Sequence, residues 1–318
     1  MKRILIQIGV VLAVLIAVGA LMWTPQQALS TRMQAEGLID PPLDHRVQRE
    51  LGQTGAAVAL GGLRSLIASS LNLSAYSEFE SQNWSELEKI FNMIVTLQPK
   101  NAYYWDTGAW HFAYNAYFDY EDKYGVAPAR RRQKQKEYRE KGEAFLLRGT
   151  HALPEEELLW RSLGRLYSDP HKPYDFAKAA AYFEQAVKLE GAKPRMKREY
   201  FYTLGRVKGR EREAWELGVE LMTTHNNRNF SSMRSLFFTH CLIQNPILAK
   251  DDRLIQQVFG GNKKLAYKDL ANYWVRSRTE GFPQANLERV IRRLAAELDI
   301  PPTQNPFLNK DLKRVKKI

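Results

Sequence analysis

The chain is 318 residues long, and its 47 Lys and Arg outnumber 35 Asp and Glu, for a formal net charge of +12. Hydrophobic residues at 44% and aromatics at 11% exclude disorder as the main state, and a mean hydropathy of −0.45 excludes a multi-span membrane protein. A single cysteine, Cys241, excludes an intramolecular disulfide framework, a paired-cysteine redox site and a multi-cysteine zinc site.

Residues 4–23 read ILIQIGVVLAVLIAVGALMW, apolar apart from Gln7. At 1.5 Å per residue such a helix spans roughly 30 Å, the thickness of a bilayer core. Trp23 stands where an indole prefers the headgroup zone, and Pro25 follows as a stop. Lys2 and Arg3 precede the run, whereas Arg32 is offset by Glu36 and Asp40 after it. This charge asymmetry predicts a single-pass anchor with a cytoplasmic N-terminus and an extracytoplasmic body, periplasmic in a bacterium. The alternative is a secreted protein released by cleavage after Val18-Gly19-Ala20. The run exceeds a signal peptide's usual apolar length and continues through Leu21, Met22 and Trp23, which favours the anchor.

Residues 24–51, with Pro25, Pro41 and Pro42, read as a stalk carrying one short helix around residues 26–37. Beyond it, Leu63, Leu66, Ile67, Leu71 and Leu73 recur mainly at three and four, the apolar stripe of a helix. Helical segments follow, broken at Gln82–Asn83, Pro99, Pro154, Pro170–Pro173, Gly191–Pro194 and Gly209, and no alternating strand pattern intervenes. Near the C-terminus two amphipathic helices are expected, at Leu265–Thr279 and Asn286–Leu298. The second carries a stripe of Leu287, Val290, Ile291, Leu294 and Leu298. The fold class is therefore all-α.

An internal period emerges in the middle of the chain. Trp160, Leu163, Gly164 and Tyr167 are followed by Ala179, Phe183 and Ala186, two helices whose small residues permit close approach while the aromatics fill the space between. This segment resembles a tetratricopeptide repeat, with an enlarged turn at SDPHKPYD. Neighbouring segments fit the same frame. Trp105, Ala109 and Phe112 follow Pro99; Gly142, Leu146 and Gly149 precede Pro154; Ala75 and Phe91 lie upstream; Phe201, Leu204, Gly205 and Ala214 lie downstream. The resemblance covers residues 68–222 as roughly four degenerate repeats. The expected organisation is an anchor at 1–23, a stalk at 24–51, repeats at 52–222, a helical cap of the solenoid at 223–308 and a mobile basic tail at 309–318.

The search for chemistry is largely negative. The six histidines, at 45, 111, 151, 171, 225 and 240, show no pairing at helical spacing, and no metalloprotease, nucleophile-elbow or phosphate-loop motif occurs. Glu155, Glu156 and Glu157 follow Pro154 and complement a helix dipole. Gly260-Gly261-Asn262 reads as a turn. No catalytic residue, metal or cofactor is expected.

What remains is binding. The resemblance implies a peptide-receiving face on the first helices of the repeats, and register places Asn72, Tyr76, Tyr103, Asp106, Trp110, Arg161, Arg165, Tyr202 and Arg206 on it. Aromatics mixed with arginines favour an acidic or extended peptide from a partner protein. The Lys/Asn clamp by which some family members hold a C-terminal carboxylate is absent. A second feature is the basic run of Arg130, Arg131, Arg132, Lys134, Lys136, Arg139 and Lys141, offset only by Glu137 and Glu140. It reads either as a solvated helix face or as a surface for anionic headgroups; nucleic acid is disfavoured because no binding motif accompanies it. The expected function is a membrane-anchored adaptor. The alternatives are an enzymatic role carried by the C-terminal 90 residues and a basic solenoid binding nucleic acid or lipid.

Overall fold

The computed structural model describes residues 63–315 together with 27–29, 31–33 and 35. The predicted anchor at residues 4–23 and most of the stalk lie outside the described residues; 27–29, 31–33 and 35 are helical, within the short helix expected there. Among the described residues no helix is long and apolar enough to cross a membrane, and no strand occurs. Contacts divide the chain into two units, Met1–Leu71 and Asn72–Ile318, and the second holds the cores and cavities.

The helices run in chain order as α1 (Arg64–Glu80), α2 (Trp84–Leu97), α3 (Ala102–Trp110), α4 (Pro128–Ala152), α5 (Glu157–Ser168) and α6 (Phe176–Lys188). They continue as α7 (Pro194–Leu204), α8 (Glu211–Thr223), α9 (Ser231–Gln244), α10 (Arg253–Phe259), α11 (Lys263–Glu280) and α12 (Leu287–Glu297). The breaks fall at the prolines and glycines expected. Asn101, Glu156, Asp175 and Asn262 cap α3, α5, α6 and α11 by accepting from backbone N–H groups of the first turn. Gly260 and Gly261 take positive φ before Asn262, as the turn requires.

Within the second unit successive helices pack on one another, α5 against α6 most extensively, and α5 also touches α3. Leu163, Gly164, Tyr167, Ala179, Phe183 and Ala186 are all buried on α5 and α6, while Trp160 is half-buried. The indoles recur in one role: Trp105 Nε1 donates to the Pro99 carbonyl and Trp160 Nε1 to the Pro154 carbonyl, both at 2.9 Å across six residues. At Gly142 an added Cβ would stand 2.6 Å from the Ala113 Cβ and 3.0 Å from the Ala109 carbonyl, so glycine is what lets α4 approach this close.

The spacing from Leu63 to Leu73 does mark a helix, α1, although Leu63, Leu66 and Leu73 are exposed and the segment buries the small Ala68 and Ala75. One core joins Phe201, Leu221 and Met222 to Met233, Leu270 and Ile291, so the C-terminal helices pack directly on those before residue 222. One expectation needs correction. Residues 309–315 are not a free tail. Val315 is completely buried, and its backbone exchanges hydrogen bonds with the Asn272 side chain at 2.7 and 3.4 Å.

After α3 the helix widens into π-helical turns over His111–Ala116, a feature with no signal in the sequence pattern. The buried Lys172, from the α5–α6 loop, donates its Nζ to the Ala113 carbonyl of this segment at 2.8 Å and lies 3.0 Å from the centre of the Tyr114 ring.

Candidate functional site

The face expected from the first helices is partly assembled. Asp106 and Trp110 of α3, Tyr114 of the π turns, and Arg161, Ser162 and Arg165 of α5 line a cavity of about 240 Å³. Arg165 also lines an adjoining cavity of about 350 Å³ with Glu199, Tyr202 and Arg206 at α7, Arg276 of α11 and Phe282. Six of the nine expected residues therefore line one or other of two cavities that share Arg165. Asn72, Tyr76 and Tyr103 line neither cavity; Tyr76 and Tyr103 are exposed outside them.

The three arginines on this face differ in what they have left to offer. Arg165 is spent on a bidentate pair with Glu199, at 2.8 and 3.0 Å, whose hydrogen bonds hold its pKa above the ordinary value. Arg206 was expected to be accessible and is not. Its side chain is only 11% exposed, its guanidinium lies 3.6 Å from the Phe282 ring centre, and Glu280 stands at 3.7 Å. Burial pulls its pKa down to about 10. The long apolar stem and planar head of arginine suit this site against a ring, so Arg206 ties the end of α7 to the segment after α11.

Arg161 is the open one. Among the described residues it has no ion-pair partner, and its Nε is buried without a hydrogen bond. Its pKa is lowered, first by burial and then by the charges of Arg165 and Arg195. Asp106, the carboxylate on the same cavity, accepts a 2.5 Å hydrogen bond from the Ser162 hydroxyl. Trp110 is 51% exposed at the cavity wall, an indole beside an unpaired guanidinium.

The basic run on α4 does not act as one patch. Lys141 bridges to Glu88 of α2 at 2.7 Å and to Glu137 at 3.2 Å, Lys134 pairs with Glu137 at 2.8 Å, and Arg131 donates to the Glu121 carbonyl. Arg130 reaches Gln133 on the surface. Arg132, Lys136 and Arg139 are set apart from these. They line a cavity of about 470 Å³ together with Tyr117, Tyr167 and Pro173. The solvated-face reading thus fits part of the run, and the rest borders a concavity.

No family model, characterised protein or solved structure matches this chain. The C-terminal segment offers little chemistry. His240 is wholly buried, and that burial lowers its pKa. Its Nε2 would stand 2.9 Å from a Cβ on Gly205, which makes it a close-packed neighbour of the end of α7. The Cys241 thiol beside it is buried and pushed up to about 11. Among the described residues no three His, Cys, Asp or Glu side chains group to hold a metal ion.

Tyr114, Ser162, Glu199, Arg276 and Phe282 line this face without having been expected on it. Tyr114 was within reach, four residues after Trp110 on the same helical face. Arg276 and Phe282 lie far beyond α7 in sequence, and only the tertiary fold brings them to the face.

Proposed function

We propose that this chain is a membrane-anchored adaptor built from tetratricopeptide-like helical repeats, and that it holds an extended segment of a partner protein across α3, α5 and α7. The observation that carries the reading is the unpaired Arg161 in a cavity beside an exposed indole, continuous through Arg165 with a second cavity. A partly buried guanidinium with no acid hydrogen-bonded to it is costly in the free protein, although Glu199 and Asp106 offset its charge at a distance, so a carboxylate supplied by the partner relieves it. Trp110 adds apolar contact area next to that charge, the pairing of residue types that anchors peptide interfaces. The repeat assignment draws on the two equivalent indole–proline-carbonyl bonds and on the small residues at the α3–α4 and α5–α6 contacts. The anchor assignment rests on the apolar run at 4–23, and its flanking charges favour an extracytoplasmic body. The adaptor performs no chemistry of its own.

Affinity capture from detergent-solubilised membranes supplies the partner, and binding of its captured segment is then measured against variants. Arg161→Ala is expected to weaken binding by about thirtyfold, on the order of 2 kcal/mol, as loss of an interface anchor does. Arg212→Ala, an exposed arginine on α8 paired with Glu216, serves as the charge-matched control and should leave binding unchanged. Equal affinity of the Arg161→Ala variant and the parent would overturn the assignment of this face.

A further inference from the structure

We propose that the cavity bounded by Tyr117, Arg132, Lys136, Arg139 and Tyr167 is a second, independent binding site, and that its ligand carries a phosphate group. Arg132, Lys136 and Arg139 stand at i, i+4 and i+7 on α4, so one helix face presents all three cations to the same space. Glu140 also borders the cavity, and its carboxylate lies 3.8 Å from Lys136 Nζ in an exposed pair. Three cations therefore face one carboxylate, an imbalance that water and salt must otherwise cover. Lys134, Lys141 and Arg131 have found acids or a carbonyl within the fold, whereas among the described residues Arg132 and Arg139 have no ion pair and Lys136 has only its exposed pair with Glu140.

Arg139 is the built element of the site. Its guanidinium lies over the Tyr167 ring, 4.4 Å from the centroid, and its Nε is buried without a hydrogen-bond partner. Tyr167 is itself fixed, because its hydroxyl donates to Glu143 and accepts from Lys178 Nζ. The arginine fork is thus held against a fixed ring before any ligand arrives, the preorganisation that planar recognition of phosphate oxygens exploits. A phosphate monoester brings up to two negative charges and three acceptor oxygens, enough together with Glu140 to balance three cations, whereas a carboxylate brings one charge and would leave one cation unmatched. The cavity volume, about 470 Å³, falls within the range of small-ligand sites, and the Tyr117 and Pro173 walls can accept the apolar part of such a molecule. Two sources share this chemistry: a soluble phosphate monoester and the monoester headgroup of phosphatidic acid.

The test uses the full chain in an uncharged detergent. Inorganic phosphate, short-chain phosphatidic acid and short-chain phosphatidylcholine are titrated by calorimetry at constant ionic strength. Saturable binding of phosphate or of phosphatidic acid is expected, weakened tenfold or more by Arg139→Gln and by Lys136→Gln, and unchanged by Arg212→Gln on α8. Lys136 is exposed, so its variant keeps the comparison valid if Arg139→Gln disturbs the packing on Tyr167. Binding of inorganic phosphate, with or without phosphatidic acid, points to soluble phosphate compounds, and binding of phosphatidic acid alone points to the headgroup. The proposal fails if neither anionic probe saturates, if phosphatidylcholine binds as tightly as phosphatidic acid, or if Lys136→Gln binds like the parent.

Discussion

An added Cβ on Gly164 would meet three ring atoms of Phe183 at 2.8 Å, so a larger side chain there has nowhere to go. Gly164→Leu therefore overpacks the α5–α6 contact and should lower stability by about 1–3 kcal/mol or more in a urea titration, with Ala186→Phe acting in the same direction. This contact was legible through the repeat resemblance, which pairs the helix carrying Gly164 with the one carrying Phe183. Lys172 is the opposite case. Nothing near it in sequence marks it for burial, because its acceptor, the Ala113 carbonyl, lies 59 residues upstream. Burial pulls its pKa from 10.5 down to about 7, against the attraction of Asp169 and with help from the charge of Arg139. Between those two values the unfolded chain binds the proton and the folded chain does not, so stability rises with pH across the window. Measured from pH 7 to 9, the parent should gain on Lys172→Met by up to about 1.4 kcal/mol per pH unit. A constant difference between the two proteins over that range would show that Lys172 keeps its charge inside.

At the scale of elements, helix positions were legible and helix roles were not. Prolines, glycines and caps are local signals, which is why α11 and α12 fall close to the expected bounds. Which face of α1 is buried depends on its neighbours, so leucines whose spacing marks the helix stand exposed on it. The basic run on α4 was visible as a run, but its division into clamps to α2 and a cavity wall needed Glu88 and Tyr167 brought alongside. The segment after α12 is the clearest failure. Its basic composition argued for a mobile tail, yet Phe307 packs on Trp274, Arg278 donates to the Pro306 and Lys310 carbonyls, and Val315 closes the core. Lysines and arginines placed between apolar anchors are compatible with docking because their heads reach water from a packed backbone. Deleting residues 309–318 should cost about 2 kcal/mol or more, given what a fully buried valine and partly buried Leu312 contribute. Val315→Asp should reproduce most of that loss without shortening the chain; unfolding curves superimposable on the parent would return the segment to a dangling tail.

For the whole molecule, one core runs from Phe201 through α9–α12 to Val315, so the C-terminal third is continuous with α7, which carries part of the candidate face. Arg206 joins the two by lying against Phe282. The proposed anchor would hold that body on one side of a membrane, and the proposed side follows from charge alone: Lys2 and Arg3 before the apolar run against a nearly neutral flank after it. Cys241 makes the proposal testable with a single substitution. It is the chain's only cysteine, 6% exposed, and burial pushes its thiol up to about 11, so it presents almost no thiolate to a reagent. Tyr124, in the loop between α3 and α4, is fully exposed, and Tyr124→Cys places one reactive thiol on the body without disturbing its core. An impermeant maleimide applied to intact cells or spheroplasts should label this variant and leave the parent unlabelled. Labelling that requires lysis would put the body in the cytoplasm, reverse the topology, and return the basic face of α4 to cytoplasmic anions.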